Sequence, residues 1–485
     1  LTVGIDIGTT SVKAVAVDAG GQVRARARVA NVMLVPFPAR LEHDAASAWW
    51  DAPRQALESV LQQVGSPSGG AISGGGGPVV AVAVSAMAPS LAPVDADGRP
   101  IGPGILYGDE RASATSLDPT RSDEATSLLA WCAHAHPDAA GYWPAQAVAN
   151  RSLGGSATVD LSTAMTAGVL LGADGWDVGR CQAAGVVSDQ LPAIEMFGRP
   201  IGEVSAGLIA GRSGGMTLVA GGVDALCEQL VVGRLEIGDV LVVCGSTLVV
   251  WVVTESPAGT DGSMGTDGSM GTGGSVGTGG SVNGAGPAAP GCEGLWTLPD
   301  LTPGRSMVGG PSNAGGLFLD WVDRLVRPGG GRPINPAVVP VWQPYVRGER
   351  VPFHDLSLRS SVGGLDLTQG PDAVRRGAYE ASAMALRHIV ELAGGHPSRI
   401  VATGGGTRAS GWLQAIADVT GTPVEPAGIP EGAALGAAWL ARLGVGLEHS
   451  TEDAARWATF GATVEPDRAW VGPCEDRYQR YLRGR

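Results

Sequence analysis

Apolar and polar positions near the start of the chain alternate with a period of two. Residues 2–7 and 12–17 therefore predict two strands joined by a Gly-Thr-Thr-Ser turn, with Asp18-Ala-Gly-Gly21 closing a further hairpin. The period changes over residues 49–64, where Ala56, Leu57, Val60, Leu61 and Val64 fall on one face of a helix. Extended pieces follow around Val84, Leu91 and residues 100–107, among prolines and glycines. In mid-chain, residues 216–220 predict a short buried strand, then Gly221-Gly-Val-Asp224 and a helix to residue 232, so Asp224 stands where strand meets helix. Residues 239–253 repeat the opening pattern of strand, Gly-Ser-Thr turn and strand. This weak internal repeat places a domain boundary near Gly238, with domains over residues 1–237 and 238–485.

Between residues 259 and 282 run four hexads of the form Gly-Thr-(Asp/Gly)-Gly-Ser-(Met/Val), a composition that fills no core and predicts a flexible surface insertion. A calcium-binding array is the competing reading, but the acidic positions lack its regularity. Order resumes after the hexads. Pro371 opens a helix with Val374, Ala378, Ala381, Ala385, Leu386 and Ile389 on its apolar side, and Gly394-Gly395 ends it. Residues 399–402 predict a strand running into Thr403-Gly-Gly-Gly-Thr-Arg408, followed by a helix over 411–420 that Gly421 and Pro423 stop. Residues 431–440 form a small-residue helix suited to close packing.

Composition narrows the function. A net charge of −14 and a sequence pI of about 5.0 oppose nucleic acid or an anionic membrane as the main partner. The apolar run over 240–253 is interrupted by Gly245-Ser-Thr and falls short of the ~20 residues of a spanning helix. Apolar patterning already at Val3 leaves no signal peptide to expect, so a cytoplasmic protein is predicted. Six cysteines without any Cys-x-x-Cys spacing predict reduced buried thiols, and His134-x-His136 lacks the further ligands a metal site needs. The 76 glycines, about twice the usual ~7% share, imply many tight turns and close backbone approaches.

Candidate chemistry gathers at the glycine turns. A turn with glycine and consecutive hydroxyls offers backbone N–H and O–H donors to phosphate, although an ordinary hairpin has the same composition. Asp6, just before the first turn, is an oxygen ligand of the kind magnesium takes. Lys13, just after it, is the only lysine in the sequence, a placement expected by chance about once in thirty. An ammonium acts on phosphate as a point charge, which would explain it. Asp224 has the position of a base that accepts a hydroxyl proton and equally that of a helix cap. Gly404-Gly-Gly406 could let a nucleotide lie against bare backbone, but neither a G-x-G-x-x-G pattern nor a Walker lysine is present.

Taken in order, these segments resemble the FGGY family of carbohydrate kinases over nearly the whole chain. Gly4-Ile-Asp-Ile-Gly-Thr-Thr-Ser-Val-Lys-Ala14 is similar to the first phosphate motif, Gly221-Gly-Val-Asp-Ala225 to the segment with the catalytic aspartate, and Gly245-Ser-Thr247 to the second phosphate turn. Pro344-Tyr-x-x-Gly-Glu-Arg-x-Pro352, with Asp355 and Arg359, resembles the signature region, and Gly404-Gly-Gly with Trp412, Gln414 and Asp418 the adenosine motif. Pro103-Gly-Ile-Leu-Tyr-Gly-Asp-Glu-Arg111 looks most like xylulokinases, where a Trp-Asn-Asp-x-Arg ending is common. The loop before it departs: the family's Gln and His fall on Met87 and Pro89, which supply no equivalent donor.

The resemblance implies an α/β fold of two actin-like ATPase (ribonuclease H-like) domains flanking a central cleft. It implies transfer of the γ-phosphate of ATP, with Mg2+, to a hydroxyl of a small sugar, a pentulose such as xylulose being the nearest example. Asp224 would be the catalytic base and Asp6 would hold the metal. Gly8, Thr9, Thr10, Lys13, Gly245, Ser246, Thr247, Gly404, Gly405, Gly406 and Gln414 would bind the nucleotide. Met87, Ala88, Tyr107, Asp109, Arg111 and Asp224 would meet the sugar. The partners expected are that sugar and a second copy of the chain in a homodimer. A family member that binds nucleotide and sugar without catalysis, or a kinase for another polyol or ketose, is the alternative.

Overall fold

A computed structural model describes residues 1–37, 40–65, 77–111, 124–172, 174–208, 215–256, 294–299, 304–327, 329–331, 333–429 and 431–484. The hexads at 259–282, predicted as a surface insertion, lie outside them.

Two six-stranded sheets organise the described chain. The first contains β1 (Thr2–Ile7), β2 (Ser11–Val17), β3 (Val23–Ala30), β4 (Ala81–Ala86), β5 (Pro200–Glu203) and β6 (Thr217–Val219), in the order β5-β6-β4-β1-β2-β3. The second contains β7 (Val240–Cys244), β8 (Leu248–Glu255), β9 (Trp296–Pro299), β10 (Arg305–Ser312), β11 (Ile400–Thr403) and β12 (Val424–Pro426), in the order β9-β10-β8-β7-β11-β12. In the first sheet β1 runs antiparallel to β2 and parallel to β4, while β3 is antiparallel to β2 and β6 parallel to β4. The strands β7, β8, β11, β10 and β12 repeat those relations in the second. The weak repeat of two hairpins is thus the visible part of a repeated five-strand topology, and the architecture is the α/β class expected.

Burial explains the strand sequences. β1 and β4 are buried along their whole length because helices cover both faces, so they read as continuous small-apolar runs. One cover is α1 (Ala52–Gly65), whose Ala56, Leu57, Val60 and Leu61 are buried as predicted. A wide π-type turn over Ala46–Asp51 replaces the first part of the predicted helix, and regular α geometry starts beside Pro53, a residue suited to a first turn. Another helix, α2 (Asp224–Val231), also packs on this layer. The second sheet is covered by α3 (Pro371–Leu392) and α4 (Ser410–Thr420), with Leu386, Ile389, Leu413 and Ile416 in the core between them.

The small-residue helix α5 (Gly432–Gly444) belongs by sequence to the second of the expected domains but packs on the first sheet, in one core with Ala81, Ala83, Val219 and Cys227. Its approach is so close that a Cβ on Gly4 would lie 1.8 Å from the Ala434 carbonyl oxygen. Only glycine fits there. A smaller four-stranded sheet, formed by Glu42–His43, Gly104–Leu106, Ser90–Val94 and Gly141–Trp143, carries the loop with Tyr107. The five cysteines among the described residues are buried and free.

Candidate active site

The ends of the two central hairpins face a common cavity of about 1460 Å³. Gly8, Thr9 and Thr10 of the β1–β2 turn line it from one side, and Gly245, Ser246 and Thr247 of the β7–β8 turn from the other. The turns meet directly, with Ser246 Oγ 3.2 Å from Thr9 Oγ1. Each is braced from outside. Asn31 donates to the Gly8 carbonyl (3.0 Å), and the backbone N–H groups of Gly316 and Leu317 donate to the carbonyls of Gly245 and Ser246. His43 also holds the first turn. Trp49 Nε1, which can only donate, reaches His43 Nδ1 at 3.0 Å, so the ring proton sits on Nε2 and is donated to the Thr9 carbonyl at 2.8 Å. Burial lowers the His43 pKa, in keeping with a neutral ring.

Three carboxylates and one ammonium share the floor. Asp6 and Lys13 are register partners across β1 and β2, which brings Lys13 Nζ to 3.0 Å from Asp6 Oδ2. The Asp6 charge raises the Lys13 pKa against the effect of burial. Asp224 is the first residue of α2 and half-buried at the cavity wall, its Oδ1 accepting from the Ala225 N–H at 2.8 Å. That bond is the cap-like contact the sequence allowed, yet Val223 holds the N-cap position. Burial, followed by the neighbouring Asp6 charge, pushes the Asp224 carboxyl up to about 7. One turn along α2, buried Glu228 also lines the cavity and accepts from Thr403 Oγ1 at 2.5 Å, joining the two halves of the chain. Its pKa is likewise pushed up to about 7, mainly by burial. Sequence reading missed Glu228, although its four-residue spacing from Asp224 puts both on one helical face.

Gly404, Gly405 and Gly406 line the cavity. Packing fixes two of them. Gly404 has φ of +86°, and a Cβ on Gly406 would lie 2.4 Å from Trp412 Cζ3. A Cβ on Gly405 would meet nothing within 4 Å, so that glycine borders open space. Gln414, expected with them, is not in the cavity lining: its amide donates to Asp418 Oδ1 (2.8 Å) and to the Glu465 carbonyl (3.0 Å).

On the opposite side the lining includes Met87, Ala88 and Tyr107, as expected, together with Arg350 and Glu124, which were not assigned there. The sequence did hold a signal for Arg350 in Pro344-Tyr-x-x-Gly-Glu-Arg350. Asp109 and Arg111 are placed elsewhere. Asp109 is fully buried and accepts two bonds from the Arg111 guanidinium at 2.8 and 2.7 Å and one from the Leu41 N–H at 2.6 Å. Arg111 also reaches Glu42 at 2.7 Å and lies over the Trp131 ring. The pair is spent on bracing the loop behind Tyr107 and does not line the cavity. Among the described residues there is no group of three or more His, Cys, Asp or Glu placed to hold a metal ion, and no helix long and apolar enough to cross a membrane.

Two facing hairpin turns rich in donors, sharing one cavity with an acidic residue of raised pKa, are a constellation suited to phosphoryl transfer. Family models agree with that class: residues 1–230 match the N-terminal domain, and residues 240–444 the C-terminal domain, of the FGGY family of carbohydrate kinases. The chain belongs to this family, whose members are ATP-dependent sugar kinases. Over 493 aligned residues it is 25% identical to the xylulose kinase of Escherichia coli K12, covering 92% of this chain and 91% of that protein. It is 26% identical over 524 residues to the autoinducer-2 kinase of Yersinia enterocolitica, covering 93% and 88%. In fold it is similar to the crystal structure of gluconate kinase from Lactobacillus acidophilus, with a TM-score of 0.78 at 18% identity over 100% of this chain and 97% of that one.

Proposed function

We propose that the chain transfers the γ-phosphoryl group of ATP to a hydroxyl of a small ketose or polyol, with Asp224 as the base and the two hairpin turns gripping the phosphates. The observation that carries this reading is the convergence of Thr9, Ser246 and Asp224, from three separate elements, on one cavity. A carboxylate of pKa about 7 is matched to taking a proton from an alcohol near neutral pH. The acceptor oxygen attacks in line, its proton passes to Asp224, and ADP leaves. Lys13 adds a point charge at the first turn, and the Gly404–Gly406 backbone offers the nucleoside a surface without side chains.

A magnesium ion carried with the nucleotide fits this donor set. Asp6 and Asp224 stand close enough that the first opposes ionisation of the second, an excess of negative charge that a divalent cation relieves. Asp6 would hold the ion, directly or through water, and the ion would neutralise phosphate charge.

Relatives bear the names xylulose kinase, autoinducer-2 kinase and gluconokinase, so the acceptor is sought among pentuloses, with xylulose first, other ketoses, polyols and sugar acids. The test is ADP release from Mg-ATP over such a panel. At least one acceptor should stimulate turnover, and Asp224→Asn should abolish it while ATP binding persists. Tight ATP binding with no acceptor-dependent release across the panel would overturn the reading in favour of a non-catalytic binding protein.

A further inference from the structure

Between the two phosphate turns sits a third hydroxyl, from neither hairpin. Tyr107 Oη lies 2.6 Å from Thr9 Oγ1 and 3.2 Å from Ser246 Oγ, and those two oxygens are 3.2 Å from each other. The three hydroxyls form a closed triangle, each within hydrogen-bond distance of the other two. Tyr107 comes to this point from the side of the cavity lined by Met87 and Ala88, on the loop that the buried Asp109–Arg111 pair braces. Its ring is buried and packed against two cations, with the Arg350 guanidinium 5.0 Å and the Arg347 guanidinium 5.9 Å from the ring centroid. An aromatic ring fixed in this way presents its hydroxyl with little rotational freedom.

We infer that the Tyr107 hydroxyl is a third donor of the phosphate clamp, one that bonds a non-bridging oxygen of the γ-phosphoryl group during transfer. The inference rests on the kinase reading of this cavity. If Thr9 and Ser246 both grip the terminal phosphate, its oxygens take the place that the triangle now fills. A phosphoryl oxygen only accepts, so three mutual hydroxyl contacts are exchanged for O–H···O⁻ bonds to a charged group, which are roughly twice as strong as neutral ones. In the step itself the bond from the acceptor oxygen to the γ-phosphorus forms as the bond to the bridging oxygen of ADP breaks. The acceptor proton goes to Asp224 and the electron pair leaves on ADP. Tyr107 keeps its proton throughout and donates a hydrogen bond to charge already present, pre-positioned as electrostatic stabilisation requires.

The experiment compares wild type with Tyr107→Phe, which keeps the ring and removes the hydroxyl. Calorimetric titration with ADP and with the β,γ-imido analogue of ATP isolates the γ-phosphate without needing an acceptor. The variant should bind the imido triphosphate about tenfold more weakly and ADP as wild type does, the latter also showing that the fold is intact. With whichever acceptor of the panel turns over, kcat should fall about tenfold or more while the acceptor KM stays within about twofold. Equal loss for both nucleotides, no loss for either, or an effect confined to the acceptor KM would overturn the assignment. Failure of the kinase reading is distinct: wild type itself would show no acceptor-dependent ADP release.

Discussion

Lowering the pH through neutrality should switch turnover off at a single carboxylate. Asp224 is pushed up to about 7 by burial first and by the Asp6 charge second, partly offset by the Ala225 N–H and by the charges of Lys13 and Arg350. A base must be ionised to accept a proton, so activity belongs to the form above this pKa. For a pKa of about 7 the carboxylate fraction is about one-eleventh at pH 6 and about ten-elevenths at pH 8, a change of about tenfold in rate. The assay is initial ADP release at subsaturating Mg-ATP and acceptor, where the rate follows kcat/KM and so the free enzyme's groups, between about pH 5.5 and pH 8.5 with coupling enzymes in excess. The acid limb should bend near neutrality with a slope of one proton. Asp224→Asn should lose about 10²–10⁴-fold at the optimum, the usual contribution of a positioned base. A rate that is flat from pH 6 to pH 8, or an Asn variant within about tenfold of wild type, would refute the assignment of Asp224 as the base.

Four other substitutions test separate parts of the structure. Lys13→Ala should raise the KM for ATP about tenfold, the scale of a charge-assisted contact, with Lys13→Arg recovering part of the loss; an unchanged KM would return the sole lysine to a bystander. Asp109→Ala leaves the Arg111 guanidinium with its main carboxylate removed and should destabilise the fold by about 3–5 kcal/mol in chemical denaturation, whereas a midpoint equal to wild type would contradict a bracing role. Burial pushes Glu349 up to about 7 from an ordinary 4.5, so its stability contribution is complete below about pH 4.5 and lost as pH rises through about 7; Glu349→Gln should flatten the fall of the melting temperature over that window, and parallel curves would count against it. Gly4→Ala would place a methyl 1.8 Å from the Ala434 carbonyl oxygen and should yield no soluble folded protein; a variant melting like wild type would mean α5 can withdraw from β1.

The elements read correctly from sequence are those whose cause is local. The β1–β2 and β7–β8 hairpins follow from strand alternation and glycine at the turn, and each matches the observed strands to within about two residues. The same holds for the helix that starts at Pro371 and for the strand before Gly404. What sequence could not supply is which side of an element turns inward. Asp109 and Arg111 fit the expected motif, yet their charges satisfy one another behind the loop, and only Tyr107 from that segment reaches the cavity. Gln414 fits its motif too and is used on Asp418 and the Glu465 carbonyl. Conversely, Glu228 and His43 are defined by partners far away in the chain, Thr403 and the Thr9 carbonyl, and no spacing within either segment reveals those contacts.

The same distinction bears on how the site is assembled. Short motifs specify turns, and a turn presents donors whether or not anything binds there. Specificity for a transferred phosphate arises only where two such turns are held at a fixed separation, and that separation is set by elements with no motif of their own. Helix α5 crosses from the second half of the chain to the first sheet and seats on Gly4, two residues before Asp6. The Thr403 to Glu228 bond ties β11 to the helix that begins with Asp224. These contacts join the sheet bearing the first turn to the chain bearing the second, so a change at Gly4 or Thr403 reaches the clamp from outside the cavity lining. Thr403→Val, which removes the tie to Glu228 from outside the cavity lining, should therefore weaken ADP and the imido triphosphate alike, whereas Tyr107→Phe should spare ADP.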